Sequence, residues 1–122
     1  MEEKEFLVDK RNNLAFQIIL DAGDARALCE DALVLLEKFK FDEARTKMKE
    51  AKEKINCAHR VHTEILQEDI ADPENSKYSM IFTHAQDTLM TINSEYILSK
   101  QMIELLKKFD ERLSKVEEKV ND

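Results

Sequence analysis

An all-α fold, three helices running up, down and up as an antiparallel bundle, is what the sequence predicts, and three observations lead to it. The 122 residues include one glycine and one proline, too few for the turns that a sheet protein needs. Charged residues make up 37% and hydrophobic residues 43% of the chain, a mixture suited to long helices with one wet and one dry face. The apolar residues recur at intervals of three and four, the period of such a face. A chain of this length makes one domain, residues 1–122,. A few long helices in so short a chain bury modest surface per residue, so an oligomer is expected.

The first helix is expected from about Leu7 to Leu36, with Leu14, Ile18, Ala25, Leu28, Ala32 and Leu35 as its apolar stripe and Asp21 as a polar interruption,. Gly23 costs about 1 kcal/mol in helix propensity relative to alanine. It is expected either to bend the helix or, preferably, to let another backbone approach closely. Lys38 to Asp42 has no periodic partner and separates this helix from the next. A second stripe starts at Phe41 and continues through Ala44, Met48, Ala51, Ile55, Ala58, His62 and Ile65; its small residues permit close helix packing. His62 takes an aliphatic position on that seam and His59 lies one turn earlier. The simplest reading of both is a histidine hydrogen-bonded within or beside the core. A zinc site from Cys57, His59 and His62 is disfavoured, because the three do not converge on one helical face.

Ala71 to Ser76 is the strongest breaker in the chain: Pro73 keeps Asp72 out of the helical region, and Asp72, Asn75 and Ser76 are all good N-caps for a third helix,. That helix runs without glycine or proline to about Lys119, roughly 65 Å at 1.5 Å per residue. Two seams share it, one through Ala85, Leu89, Ile92, Tyr96, Ile103 and Leu106, the other through Met102, Leu106, Phe109, Leu113, Val116 and Val120. More than one apolar face means more than one neighbour, within the subunit and between subunits. Glu117 to Asp122 are expected to fray.

The formal charge of −7 argues against nucleic acid and anionic membrane surfaces, both of which ask for a cationic face. Cys29 and Cys57 lack CxxC spacing and read as buried or half-buried thiols of a reducing cytosol. The acidic N-terminus, Met1 to Glu5, leads into no apolar run of signal or membrane-spanning length, so the expectation is a soluble cytoplasmic protein with no direct membrane insertion,.

The stretch Thr83 to Met90 holds a pair of side chains that could do chemistry. His84 and Asp87, three residues apart, share one helical face. A neutral imidazole is a nucleophile near pH 7, and a carboxylate can hold a hard cation. Spacing alone does not establish either role, since His-x-x-Asp is common on solvated helices. A structural or adaptor bundle in which the pair merely solvates a seam is one alternative. A carboxylate-bridged metal enzyme is another, but its Glu-x-x-His pairs are missing: Asn56, His59 and Ile81 stand three residues before His59, His62 and His84,.

Three blocks give the chain a family resemblance: Ile18-Ile19-Leu20-Asp21-Ala22-Gly23-Asp24-Ala25-Arg26; Phe41-Asp42-Glu43-Ala44 with Ala58-His59-Arg60-Val61-His62-Thr63-Glu64-Ile65-Leu66-Gln67; and His84-Ala85-Gln86-Asp87-Thr88-Leu89-Met90. In this order and spacing, over residues 10 to 108, the chain resembles the enzyme IIA component of the lactose/cellobiose branch of the bacterial phosphoenolpyruvate-dependent sugar phosphotransferase system.

The resemblance implies a homotrimeric phosphocarrier. His84 would accept a phosphoryl group from phospho-HPr and pass it to a cysteine of the partner IIB, supplying the membrane component IIC indirectly during uptake of a disaccharide of the lactose, cellobiose or chitobiose class. Asp87 of three subunits would hold one structural divalent cation, Mg²⁺, on the three-fold axis; without it three carboxylates would repel. A phosphate-sensing regulatory relative is the other role that such a chain could have acquired. Three positions depart from the family pattern: Thr88 replaces a second histidine, His62 a glutamine, and Phe39 stands where a helix-ending glycine is frequent. They bear on the sugar branch and partner fit, and none is the carrier or metal position.

Overall fold

The computed structural model describes residues 2–76 and 78–121, apart from the side chains of residues 4, 6, 7 and 8; Met1, Lys77 and Asp122 lie outside the described residues. Three α-helices account for nearly all of it: α1 (Glu2–Glu37), α2 (Phe41–Ala71) and α3 (Met80–Asn121). Cross-helix contacts fix their directions. Arg11 pairs with Asp69, and Lys54 with Asp24 at 3.6 Å, so α1 and α2 are antiparallel. Arg45 pairs with Glu104 and His62 stacks on Phe82, so α2 and α3 are antiparallel too. Ser79 and Glu95 meet Asn12 and Arg26, which makes α3 parallel to α1. The expected up-down-up bundle is what the chain forms.

Seams of small residues hold it together. Ala15, Ala22, Ala25 and Ala32 of α1 and Ala44, Ala51 and Ala58 of α2 are fully buried, which lets the axes approach closely. Ile18, Ile55, Ile65, Leu89, Ile92 and Ile103 supply the bulk of the core. The centre line of α1 differs from the expected stripe: it runs through Ala15, Ile18, Ala22, Ala25, Cys29, Ala32 and Leu36, while Leu14, Leu28 and Leu35 are only partly buried. Because α1 faces two helices, alanines occupy the line between them and the leucines sit on its shoulders. Burial pushes the Cys29 thiol up, helped by the charges of Glu95 and Glu30, so it is an unreactive core thiol.

Within one chain Gly23 does not have the role preferred for it. It is exposed, has no positive φ, and the place of its missing β-carbon has nothing within 4 Å, so among the described residues no backbone of this chain approaches it.

The α1–α2 turn is a Schellman motif. Phe39 N–H donates to Leu36 O at 3.0 Å, Lys40 N–H donates to Leu35 O at 3.1 Å, and Phe39 takes φ 59°. A phenylalanine thus holds the left-handed position that glycine ordinarily fills.

The start of α3 also differs from expectation. Asp72, Asn75 and Ser76 close α2 and form the turn: Asp72 N–H donates to Glu68 O at 3.1 Å, Asn75 N–H to Asp72 O at 3.2 Å and Ser76 N–H to Pro73 O at 3.3 Å. The cap is Ser79, whose hydroxyl oxygen accepts from Phe82 N–H at 3.1 Å, and the helix begins at Met80. At the other end α3 stays helical to Asn121, where fraying was expected. Its second seam is also corrected in part, since Leu106 is partly buried against the core while Leu105 is exposed.

Candidate functional site

His84 sits just past the first turn of α3, a turn tied down on three sides. Ser79 caps it, the same hydroxyl donates to Asn12 Oδ1 of α1 at 3.2 Å, and Thr83 Oγ1 donates back to Ser79 O at 3.1 Å. Ala85 and Leu89, the neighbours that point inward, are buried in the core. The helix therefore cannot rotate, and the alternation of its faces turns His84 and Asp87 outward: both are exposed,. Asp87 lies one turn along the same face, and its carboxylate makes no hydrogen bond or ion pair among the described residues.

Two threonines bind the backbone of this stretch. Thr88 Oγ1 donates to His84 O at 2.8 Å and Thr91 Oγ1 donates to Asp87 O at 2.9 Å. These back-bonds engage the carbonyls beneath the two functional side chains and leave the imidazole and carboxylate themselves open. Thr88 thus has a local backbone role. Its hydroxyl could have been read from the sequence as an i−4 donor, as Ser79 could have been read as a cap.

His62 is placed differently from His84. It is half-buried, stacked on Phe82 with ring centroids 5.4 Å apart and planes 19° from parallel. Its Nε2 is buried with no hydrogen-bond partner among the described residues, so the expected hydrogen-bonded core histidine is replaced by a stacked one. Burial pushes its pKa down, and the nearby His59 adds to the shift. His59 is exposed and does not enter the core. Cys57 accepts a hydrogen bond from Arg60 Nη2 at 3.5 Å. These three residues are turned to different partners, and no group of three His, Cys, Asp or Glu side chains able to hold a metal occurs among the described residues.

A single Asp87 is a hard oxygen donor suited to Mg²⁺ but far short of the six ligands such an ion takes. Within one chain it can fix an ion only weakly, so a stable site at Asp87 needs donors from further chains or water.

Among the described residues, His84 is not part of the lining of either of the two cavities that α1 forms with its neighbours. A cleft of about 360 Å³ lies between the N-terminal half of α1, the end of α2 and the α2–α3 connection, lined by Arg11, Asp69, Asn75 and Tyr78 among others. The candidate nucleophile instead stands exposed on the surface of α3. This arrangement suits a group that meets another protein, since small substrates are ordinarily held in concave sites. No helix is long and apolar enough to cross a membrane among the described residues.

Known proteins resemble this chain over most of its length. Residues 13–107 match the family model described as PTS system, lactose/cellobiose specific IIA subunit. The lactose-specific EIIA component of Staphylococcus epidermidis is 39% identical, over 82% of this chain and 95% of that protein. The crystal structure of the cellobiose-specific enzyme IIA from Bacillus anthracis superposes with a TM-score of 0.73 at 38% identity, covering 80% of this chain and 89% of that one. The IIA(chitobiose)–HPr complex of the N,N'-diacetylchitobiose branch of the Escherichia coli phosphotransferase system contains a chain with a TM-score of 0.73 at 29% identity, covering 82% of this chain and 96% of that one.

Proposed function

From the premise that this chain belongs to the lactose/cellobiose-specific IIA family of the sugar phosphotransferase system, we propose that it is a phosphohistidine carrier working as a homotrimer, with His84 as the carrier residue. Phospho-HPr is the donor and a cysteine of a IIB component is the acceptor; a membrane IIC is served indirectly, on the cytoplasmic side. The observation that carries the reading is the exposure of His84 on a helix whose first turn is capped and anchored to α1. The complex of a relative with HPr supports the choice of donor.

The chemistry asks little of the carrier beyond position. Phosphoryl transfer is mainly a matter of in-line approach and charge stabilisation. A lone pair of the His84 imidazole forms a bond to phosphorus as the bond to the donor breaks. In the second step the IIB thiolate forms the phosphorus–sulfur bond and His84 leaves with the electron pair of the phosphorus–nitrogen bond. An exposed ring permits both steps, because each requires a different protein to reach it. The anchored backbone around His84 keeps the nucleophile in one place for both encounters.

Asp87, on the same face of α3, is the residue that would hold Mg²⁺ on the axis of a trimer. The ion would neutralise three gathered carboxylates, a structural role with no step of the transfer passing through it. The whole chain acts as one helical domain, residues 1–122.

Onward transfer tests the proposal. Phosphorylated protein is mixed with purified IIB components of the lactose, cellobiose and chitobiose classes, and phosphate is followed by intact mass. Loss from this chain with matching gain by one IIB supports a transport subunit. Phosphate retained in the presence of every IIB would point to a phosphate-sensing role instead.

A further inference from the structure

The end of α3 projects beyond the bundle. Arg45, one turn into α2, is level with Glu104, so the α1–α2 turn lies level with about Lys108 and, among the described residues, nothing of this chain runs alongside the rest of α3. Residues 111–121 are all exposed, and they lie beyond the residues 13–107 that match the family model. Even so, this overhang is not a polar tail. Phe109 is 57%, Leu113 56%, Val116 56% and Val120 78% exposed, at intervals of four, three and four. With Met102 and Leu105 they occupy an arc of about 80° on the helix surface, and Asp87 falls on the same arc about four to nine turns earlier, counting roughly 3.6 residues per turn.

We infer that the part of α3 beyond Lys108 is a stem in which three copies of this chain wind together in parallel, clasping the trimer at one end. The inference rests on the trimer of the proposed function. The occupant of the apolar stripe is read from the charges that border it. Lys108, Arg112 and Lys119 follow one flank, and Asp110 and Glu117 follow the other,. In a parallel, rotationally symmetric assembly the left flank of each helix meets the right flank of the next, so basic meets acidic all round. An antiparallel two-fold pairing would set like flank against like flank and repel. The stripe is also collinear with Asp87, so the seam that buries Leu113 and Val116 continues the one that gathers the three carboxylates.

The stem has a consequence for the metal. Three carboxylates converging at Asp87 oppose association when no cation is present, and an apolar seam 20 residues or more away, by roughly 1.5 Å per residue about 30 Å distant, is indifferent to that repulsion. The stem therefore keeps the full chain trimeric where the Asp87 site alone would let go.

Sedimentation velocity over a dilution series, in Mg²⁺ and in EDTA, tests this on the full chain. Leu113→Asp with Val116→Asp alters only exposed positions, so the bundle keeps its helicity. In EDTA this double variant is expected to dissociate at a concentration more than about 100-fold above that of the parent chain. Reversing one flank, Arg112→Glu with Lys119→Glu, weakens the trimer; adding Asp110→Lys and Glu117→Lys restores it. A parent trimer indifferent to the Leu113/Val116 changes, or to flank reversal, overturns the stem and leaves the trimer standing. A parent chain that is monomeric in both buffers overturns the trimer reading, and the stem with it.

Discussion

His62 of α2 and Phe82 of α3 stack with ring centroids 5.4 Å apart, which places a titratable ring against the helix that carries His84, two residues ahead of it. The stack buries His62 Nε2 without a partner among the described residues. Protonation would put an uncompensated charge there, and this is why the pKa of the ring is lowered by burial first and by His59 second.

The sign of the pH dependence follows. A histidine whose pKa is lowered by folding binds its proton more readily in the unfolded chain, so stability rises with pH across the interval between the folded pKa and the unfolded value of about 6.5. The His62 contribution is complete above pH 6.5 and is lost as pH falls through the depressed folded pKa. His62→Gln, which places the family's residue there, is expected to flatten the melting-temperature profile between pH 5 and 7.5. Identical profiles for the two proteins would remove His62 as the source.

Phe39 holds φ 59° in the α1–α2 turn. The left-handed conformation costs a non-glycine residue about 1–2 kcal/mol, offset in a glycine variant by about 0.5–1 kcal/mol of extra unfolded-state entropy. Phe39 also meets Phe41 edge to face at 6.1 Å. Phe39→Gly is expected to gain about 0.5 kcal/mol in urea denaturation, whereas Phe39→Val, branched at the β-carbon, loses more than about 1 kcal/mol. A clear loss in the glycine variant would show that the ring contact outweighs backbone strain.

Ser79 joins the cap of α3 to Asn12 of α1. Ser79→Ala is expected to cost about 1 kcal/mol and to speed amide hydrogen exchange at Phe82 and Thr83, while amides near Ile103 stay protected. Uniform acceleration along α3 would show that the cap acts on global stability and not on the turn that presents His84.

Asp87 is expected to make the proposed trimer sensitive to Mg²⁺. In the parent chain the ion lowers the concentration at which subunits separate. In Asp87→Asn that response disappears, and the metal-free variant holds together at least as well as the metal-free parent because the carboxylate repulsion is gone. An undiminished Mg²⁺ response in Asp87→Asn, followed by isothermal calorimetry, would move the ion elsewhere.

Much of this architecture was legible in the residues. The spacing of Ala44, Met48, Ala51, Ile55 and Ala58 gave the inner face of α2 directly, because the residues between them are polar or charged apart from Cys57. Ile18, Ala25 and Ala32 of the expected α1 stripe lie on its buried centre line, whereas Leu14, Leu28 and Leu35 lie one position off it, since a helix lodged between two neighbours buries mostly alanines on its centre line and carries leucines on its shoulders. Ser79 was missed as the cap because Pro73 draws attention to the turn before it, and its caps are consumed in closing α2. The outward placement of His84 followed from the period that buries Ala85 and Leu89. The stacking of His62 did not, because periodicity places a side chain on a face but does not tell a hydrogen bond from a ring contact.

The central claim is that His84 takes up a phosphoryl group, and intact mass spectrometry after incubation with phosphoenolpyruvate, enzyme I and HPr tests it most directly. The account predicts one acid-labile phosphate per chain in the parent protein and none in His84→Ala, with the fold unchanged because the replaced ring is exposed. A parent chain that stays unmodified beside a functioning HPr, or an alanine variant that still gains the phosphate, would contradict it.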